Sequence, residues 1–311
     1  MRRNQRGVAL IVALLVVALA TVLIAGLLDR GELALARVRN DAREAQAFAY
    51  AQGMEAYAAR VLAQATASGE TTDSATSSWA VPLPPLPVRG GMLTATMRDR
   101  NGCFNLNNLV DERGQANAVW MQKFQRLLRA LKLDENLAAA VVDWMRPIPT
   151  PDERYYLQQE PPYRPAQRGF VHVSELRLVR GFSADAYAHV APEVCALPRG
   201  TAINLNTASI PVLMTLSPAM TEQIAKTIAQ DGHANFASPE DVRKLVPGMD
   251  CGGAALPITN CYDVKSTHFV ARGDVQIDGL PFTFYSLIER NYKGGAGSGI
   301  RVIERSRGPD W

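Results

Sequence analysis

The side chains in this 311-residue sequence most ready to react are four cysteines, Cys103, Cys195, Cys251 and Cys261. Four thiols admit three pairings, and an oxidising compartment is needed for any of them to persist. Cys251 and Cys261 bracket the loop CGGAALPITNC, which is short enough to be stapled. Cys103 precedes one Asn-Leu-Asn motif and Cys195 precedes another, so a bridge between them would tie the ends of the segment they enclose. The other reading is four buried free thiols. The remaining reactive groups are less organised. His172, His189, His233 and His268 are scattered, without metal-ligand spacing. No GxSxG, phosphate loop or HExxH occurs, so an enzyme reading has no constellation to rest on. A net charge of +3 is too small to argue for nucleic acid or a strongly acidic partner.

What must position these groups begins at the N-terminus. Residues 8–28, VALIVALLVVALATVLIAGLL, carry no charge and no Pro. As a helix they cover about 30 Å, the hydrocarbon thickness of a bilayer. A cleaved secretory signal has a shorter apolar region, of about 7–15 residues, and ends in a small-x-small site. The longer run is read as a single transmembrane helix. Arg2, Arg3 and Arg6 precede it, which keeps the N-terminus in the cytoplasm and puts everything after Asp29 across the membrane. Between Leu33 and Leu62 a 3.6-residue period predicts that the helix continues with a packing stripe at Val38, Phe48, Ala51, Met54, Ala58, Val61 and Leu62, weakened at Gly31 and Gly53.

The junction Arg6-Gly7-Val8 resembles the leader of type IV prepilins, a short basic segment ending in Gly before an apolar helix. The resemblance implies that a prepilin peptidase cuts between Gly7 and Val8 and methylates the new amine. Ordinary pilins carry Glu at the fifth mature position, where it pairs with the amine of a neighbouring subunit. Here that position is Val12. A subunit with no neighbour on that side can dispense with the carboxylate, so Val12 points to the end of a filament.

The segment 68–91 is polar and then proline-rich, which predicts an exposed connection, and Met92–Arg98 alternates as a strand does. Apolar residues three to four apart from Val119 to Leu131, and again over Leu137–Met145, predict helices that stop at Pro147, Pro149 and Pro151. Two stretches read as partial duplications. Phe104-Asn105-Leu106-Asn107 parallels Ile203-Asn204-Leu205-Asn206. Phe170 with Ser174-Glu175-Leu176 and Gly181 parallels Phe236 with Pro239-Glu240-Asp241 and Gly248. The second copy resembles a helix-hairpin-helix DNA-binding module. Its hairpin, Leu216-Ser217-Pro218-Ala219-Met220, lacks the glycine that presents N–H groups to phosphate, so a helical packing module is the preferred reading. Tyr262–Ile277 and Leu280–Asn291 flank Asp278-Gly279, a hairpin signal, with a last short run at Ile300–Ile303.

Taken together, the leader, Val12, the two Asn-Leu-Asn motifs, Tyr155-Tyr156 with Pro162-Tyr163-Arg164, and Ser174-Glu175-Leu176 resemble the K-type minor pseudopilins of type II secretion systems. The resemblance implies an α+β, pilin-like fold: a long N-terminal helix on an antiparallel sheet, with a large helical insertion. The expected units are the leader 1–7, a transmembrane helix 8–28, a spine and first strands 29–103, an insertion 104–260 of two related subdomains, and closing strands 261–311. It further implies a non-enzymatic subunit of the cell inner membrane with a periplasmic head. Its expected partners are the I, J and H types, the major pseudopilin, a secreted substrate or the outer-membrane channel, and no nucleic acid. The family binds calcium through an acidic loop, matched here by Asp143, Asp152 and Glu153 with Glu160 nearby. Arg146 and Arg154 depart from the family's more acidic run, and a solvated polar turn is the other reading. The competing functions are a membrane-tethered DNA-uptake protein and a membrane-anchored hydrolase. Intact-mass measurement on protein taken from membranes tests the leader: the mature chain is expected to begin at Val8 with a methylated amine. A chain beginning at Met1, or cut beyond Leu28, removes the prepilin reading.

Overall fold

The computed structural model describes residues 5–147, 153–246, 248–249, 251, 261–291 and 299–308. Its first element, α1 (Gln5–Ala67), is one unbroken 63-residue helix, about 95 Å long at 1.5 Å per residue. Residues 8–42 are exposed all round. Among the described residues α1 alone is long and apolar enough to span a bilayer, with a mean hydropathy of 3.2 in its most apolar window. Beyond this bare length a stripe is buried at Ala47, Ala51, Met54, Ala58, Leu62 and Ala65, in steps of three and four residues. The expected stripe therefore holds only in part. Val38 and Phe48 are exposed, because contact with the head begins at Ala47 and small residues set the phase of the helix.

That stripe lies on an antiparallel sheet. Numbered along the chain, its strands are β1 (Leu83–Val88), β2 (Gly91–Asp99), β7 (His268–Ile277), β8 (Leu280–Arg290) and β9 (Ile300–Ser306), in the order β1-β2-β7-β8-β9. Asp278 and Gly279, both at positive φ, make the tight turn between β7 and β8. Close approach of α1 depends on Gly273, where an added Cβ would lie 2.7 Å from the Met54 sulfur. Glu55, buried on α1, accepts from Ser286 Oγ at 2.6 Å and from Arg305 Nε and Nη2 at 2.7 and 2.8 Å, a two-pronged tie to β8 and β9. The proline-rich segment expected to be an exposed connection is exposed, but over Leu83–Val88 it forms the edge strand β1. Proline donates no hydrogen bond, which suits an edge and little else in a sheet.

Between β2 and β7 the chain leaves the sheet and forms a helical body. Its helices are α2 (Ala118–Ala130), α3 (Leu137–Met145), α4 (Glu153–Leu157), α5 (Ala184–Val190), α6 (Ile210–Leu213), α7 (Glu222–Ala229) and α8 (Pro239–Leu245). Polar caps start several of them: Asn117 accepts from Val119 N at 3.1 Å, Ser183 from Ala186 N at 3.1 Å and Thr221 from Ile224 N at 3.3 Å. Two short parallel pairs close the body, β3 (Phe104–Asn105) with β4 (Val194–Cys195) and β5 (Ile203–Asn204) with β6 (Tyr262–Asp263). Where a single strand over Tyr262–Ile277 is expected, β6 belongs to the helical body and the sheet resumes only at His268. The polar interruption Lys265-Ser266-Thr267 is what divides them.

Three chain crossings meet at the neck between sheet and body. Asn101 donates to Ala202 O at 3.1 Å and accepts from His268 N at 2.9 Å, joining the exit, the midpoint and the return of the body. Beside it lies the ion pair of Asp73 and Arg290, each side chain only 4% exposed. Asp73 also accepts from Trp79 Nε1 and Ser266 N, both at 2.8 Å, and Arg290 Nη2 donates to Ser266 O at 2.9 Å. Removing one member of such a pair leaves a buried, uncompensated charge, which costs about 3–5 kcal/mol. Asp73→Ala is accordingly expected to lower unfolding stability by about that amount, read as a shift of the urea midpoint of the full chain in detergent. An unchanged midpoint would show that the neck does not depend on this pair.

Candidate functional site

Two surfaces stand out in this architecture, the bare length of α1 and the helical body. Val8 and Val12 lie on the exposed apolar length of α1, and no carboxylate occurs between Val8 and Leu28. Gly7 lies within the same helix. A partner for this length must be apolar, lipid or another helix, because its side chains have nothing to exchange but dispersion contacts.

The helical body is built from the duplication legible in the Asn-Leu-Asn motifs, and the structure shows what the motifs do. In the first copy Asn105 Oδ1 accepts from Asn107 N at 3.1 Å, turning the chain. Asn107 then clasps the backbone of Phe170, accepting from its N–H at 2.7 Å and donating to its carbonyl at 2.9 Å. In the second copy Asn204 Oδ1 accepts from Asn206 N at 2.9 Å, and Asn206 clasps Phe236 in the same way, at 2.7 and 3.2 Å. Each clasped Phe leads into a short helix, Val173–Leu178 in one copy, with its cap at His172, and α8 in the other, after Ser238. The disulfides follow the same plan. Cys103 joins Cys195 across the first parallel pair, with Cα atoms 5.8 Å apart, and Cys251 joins Cys261 ahead of β6 at 5.7 Å.

The two copies share one core. Lys123 of α2 is fully buried and donates to Tyr262 Oη at 2.5 Å, and Tyr262 Oη donates to Leu216 O at 3.4 Å. Arg126 holds Thr215 O through Nε and Nη2 at 3.0 and 2.8 Å. The hairpin that resembles a phosphate-binding module is therefore packed against α2, with Leu216, Ser217 and Met220 buried. At the neck Asp99 accepts from Asn101 N at 2.8 Å and Gly102 N at 3.0 Å and pairs with the Thr207 hydroxyl. Burial pushes its carboxyl above the ordinary range, against the opposing pull of these bonds.

Three of the four candidate calcium residues, Asp143, Glu153 and Glu160, lie among the described residues. Asp143 on α3 pairs with Arg146 at 3.6 Å, Glu153 opens α4, and Glu160 precedes Pro161; Asp152 lies outside the described residues. Among the described residues no three His, Cys, Asp or Glu side chains are grouped to hold a metal ion. Calcium takes about six to eight oxygens, so the described donors do not by themselves make its site. Trp144, Tyr156 and Tyr163 pack together beside α3 and α4, with ring centroids 5.4 and 5.5 Å apart along the chain of contacts.

A bare apolar helix whose continuation packs a buried stripe on an antiparallel sheet, with a helical body inserted between two strands, defines a membrane-anchored subunit of the pilin-like class. Residues 102–199 match the family described as type II secretion system (T2SS), protein K. The type II secretion system protein K of Pseudomonas aeruginosa is 33% identical, over 99% of this chain and 94% of its own length. That of Klebsiella pneumoniae is 32% identical, over 100% and 99%. The chain belongs to the type II secretion system protein K family. Its fold is also that of a chain in the crystal structure of the GspK-GspI-GspJ complex from the enterotoxigenic Escherichia coli type 2 secretion system, with a TM-score of 0.66 at 22% identity, covering 87% of this chain and 98% of that one.

If the two Asn clasps are equivalent, Asn107→Ala, at a buried Phe N–H, and Asn206→Ala, at a part-buried one, should each cost about 1–3 kcal/mol, the penalty for leaving such a donor without its acceptor. Their effects should add within about 0.5 kcal/mol, as for sites with no shared partner. Urea unfolding of the two single variants and the double variant reads both quantities. A silent Asn206→Ala would mean that only the first copy needs its clasp.

Proposed function

We propose that this chain is a minor pseudopilin that works by assembly, at the tip of a periplasmic pseudopilus, and carries out no reaction of its own. The observation that carries the reading is the uncharged length of α1: from Val8 to Leu28 it offers no carboxylate to a neighbour's amine, as a subunit with nothing above it would not. The helical body supports it, since a second packed unit beside the sheet obstructs stacking of further copies. The N-terminus is cytoplasmic and the head periplasmic in this reading, supported by Arg2, Arg3 and Arg6 and by two disulfides, which need an oxidising compartment. The chain's partners are then I- and J-type minor pseudopilins, by analogy with the complex of similar fold, and beyond them the H-type and major subunits. Calcium near Asp143, Asp152, Glu153 and Glu160 would belong to the stability of the body and enters no step.

Two measurements test the proposal. Residues 29–311 mixed with I- and J-type heads should form a discrete complex on size exclusion, and failure to associate would remove the tip assignment. Val12→Glu places an unpaired ionisable group in the membrane at a cost of about 2.5–3.5 kcal/mol on insertion scales. The variant is expected to assemble no better than the parent and to leave filaments capped. If Val12→Glu lets this chain polymerise along a shaft, the missing carboxylate is not what confines it to the end.

A further inference from the structure

The sheet has a gap in its edge. β2 pairs with β7 along its whole length, from Gly91 to Asp99, but β1 ends at Leu83, opposite Ala95. Bonds from Arg100 N to His268 O at 2.9 Å and from Asp278 N to Gly90 O at 2.8 Å fix the parity of the β2–β7 ladder. Even-numbered residues of β2 bond to β7, so Met97 and Asp99 turn their N–H and C=O groups to the other side. No partner takes those groups among the described residues. Buried or cleft-lining backbone groups are normally paired, and two successive outward pairs are the pattern a further antiparallel strand would complete.

The space beside them is open. Two adjoining cavities, of about 460 and 350 Å³, share Trp79, Pro82, Thr96 and Met97 as walls. One is closed by α1 through Met54 and Val61, the other by Thr207 and Ala229 of the second helical copy. Directly beyond Leu83 the chain continues with Pro82, which has no N–H to donate, so β1 does not carry its ladder on into the notch. Charge sets the character of the outer mouth. Arg98 points to the face away from α1 and makes no hydrogen bond or ion pair among the described residues, and a cleft of about 150 Å³ beside it is lined by Arg98, Arg100 and Arg272. Asp99 there is already engaged by Asn101 N, Gly102 N and Thr207, and Arg272 is paired with Asp274 at 2.9 Å, so the charge offered to a ligand rests on Arg98.

We propose that this notch is a strand-addition site for an extended segment of a partner protein. The segment runs antiparallel to β2 in the line of β1, carries an aliphatic side chain opposite Met97 and facing α1, and an acidic one opposite Arg98. Main-chain bonds to Met97 and Asp99 supply the register, and Arg98 supplies the choice of sequence. This does not depend on the tip assignment, because the site lies wholly within one chain and its binding is measured on that chain alone.

The test uses the full chain in detergent micelles with two capped peptides at millimolar concentration, acetyl-Thr-Ala-Glu-Val-Thr-amide and its Lys-for-Glu counterpart, and reads amide hydrogen exchange. The Glu peptide is expected to slow exchange at Met97 and Asp99 several-fold and the Lys peptide to do so far less. Met97→Pro, which deletes an outward donor but none that β7 uses, should abolish the effect. Arg98→Glu, which disturbs no described partner, should reverse the preference and keeps the test decisive if Met97→Pro does not fold. No slowing with either peptide, or equal slowing with both, overturns the proposal. Self-association that Met97→Pro abolishes would assign the notch to a second copy of this chain and overturn it too.

Discussion

Everything outside the membrane hangs on the closed polar knot at the neck. The body is an excursion of some length between β2 and β7, and an excursion tethered only at its two ends would swing. It does not, because Asp73, arriving from the end of α1, is locked to Arg290 at the end of β8, while both hold Ser266. Asn204, at the start of the second copy, donates to Asp73 O at 2.9 Å and to Ser266 Oγ at 2.7 Å. A buried ion pair is an expensive way to gain stability, since desolvation offsets most of the attraction. What it supplies here is a single geometry, in which four distant segments must be present together before any of their polar groups is satisfied.

The same requirement recurs on a smaller scale inside the body. Each Asn clasp closes a loop whose ends are far apart in sequence, and each closure brings a pair of short parallel strands together. Parallel strands of two residues have little pairing energy of their own. They persist because a disulfide lies at or near each pair and the shared core covers both. Lys123 then runs from the first copy to Tyr262 of the second, with its ammonium 4.9 Å from the ring centroid. Duplication thus produced two similar halves, and one cationic side chain threaded through the seam makes them a single unit.

The elements with a strong local signal were legible from composition and period: the apolar helix, α2 and α3, and the β7–β8 hairpin about Asp278-Gly279. The cysteine pairs followed from where the cysteines stand relative to the motifs. What local reading missed was decided at long range. The proline-rich segment becomes β1 only because Leu93 and Ala95 offer it an edge. The stripe of α1 is buried only from Ala47 onward, and its close approach at Met54 depends on Gly273, over two hundred residues away. The Asn-Leu-Asn repeats were visible as repeats, yet nothing near them announces that their targets are Phe170 and Phe236. Arg290, Asp73 and Ser266 carry no pattern at all, and buried polar knots of this kind rarely do, since their partners are chosen by the fold.

The bare stretch of α1 between the bilayer-length run and the head, residues 29–42, is a rod and not a tether. It spans about 21 Å as continuous helix. A flexible linker would let the head sample orientations freely, whereas a helix joined without a break at both ends passes displacement and rotation straight through. Any axial movement of the membrane segment moves the head by the same distance. Each residue of that rod also fixes an angle: one more would lift the head by about 1.5 Å and turn it by roughly 100°. The length of the stalk is therefore an angular setting, which decides the compass direction in which the helical body faces its neighbours.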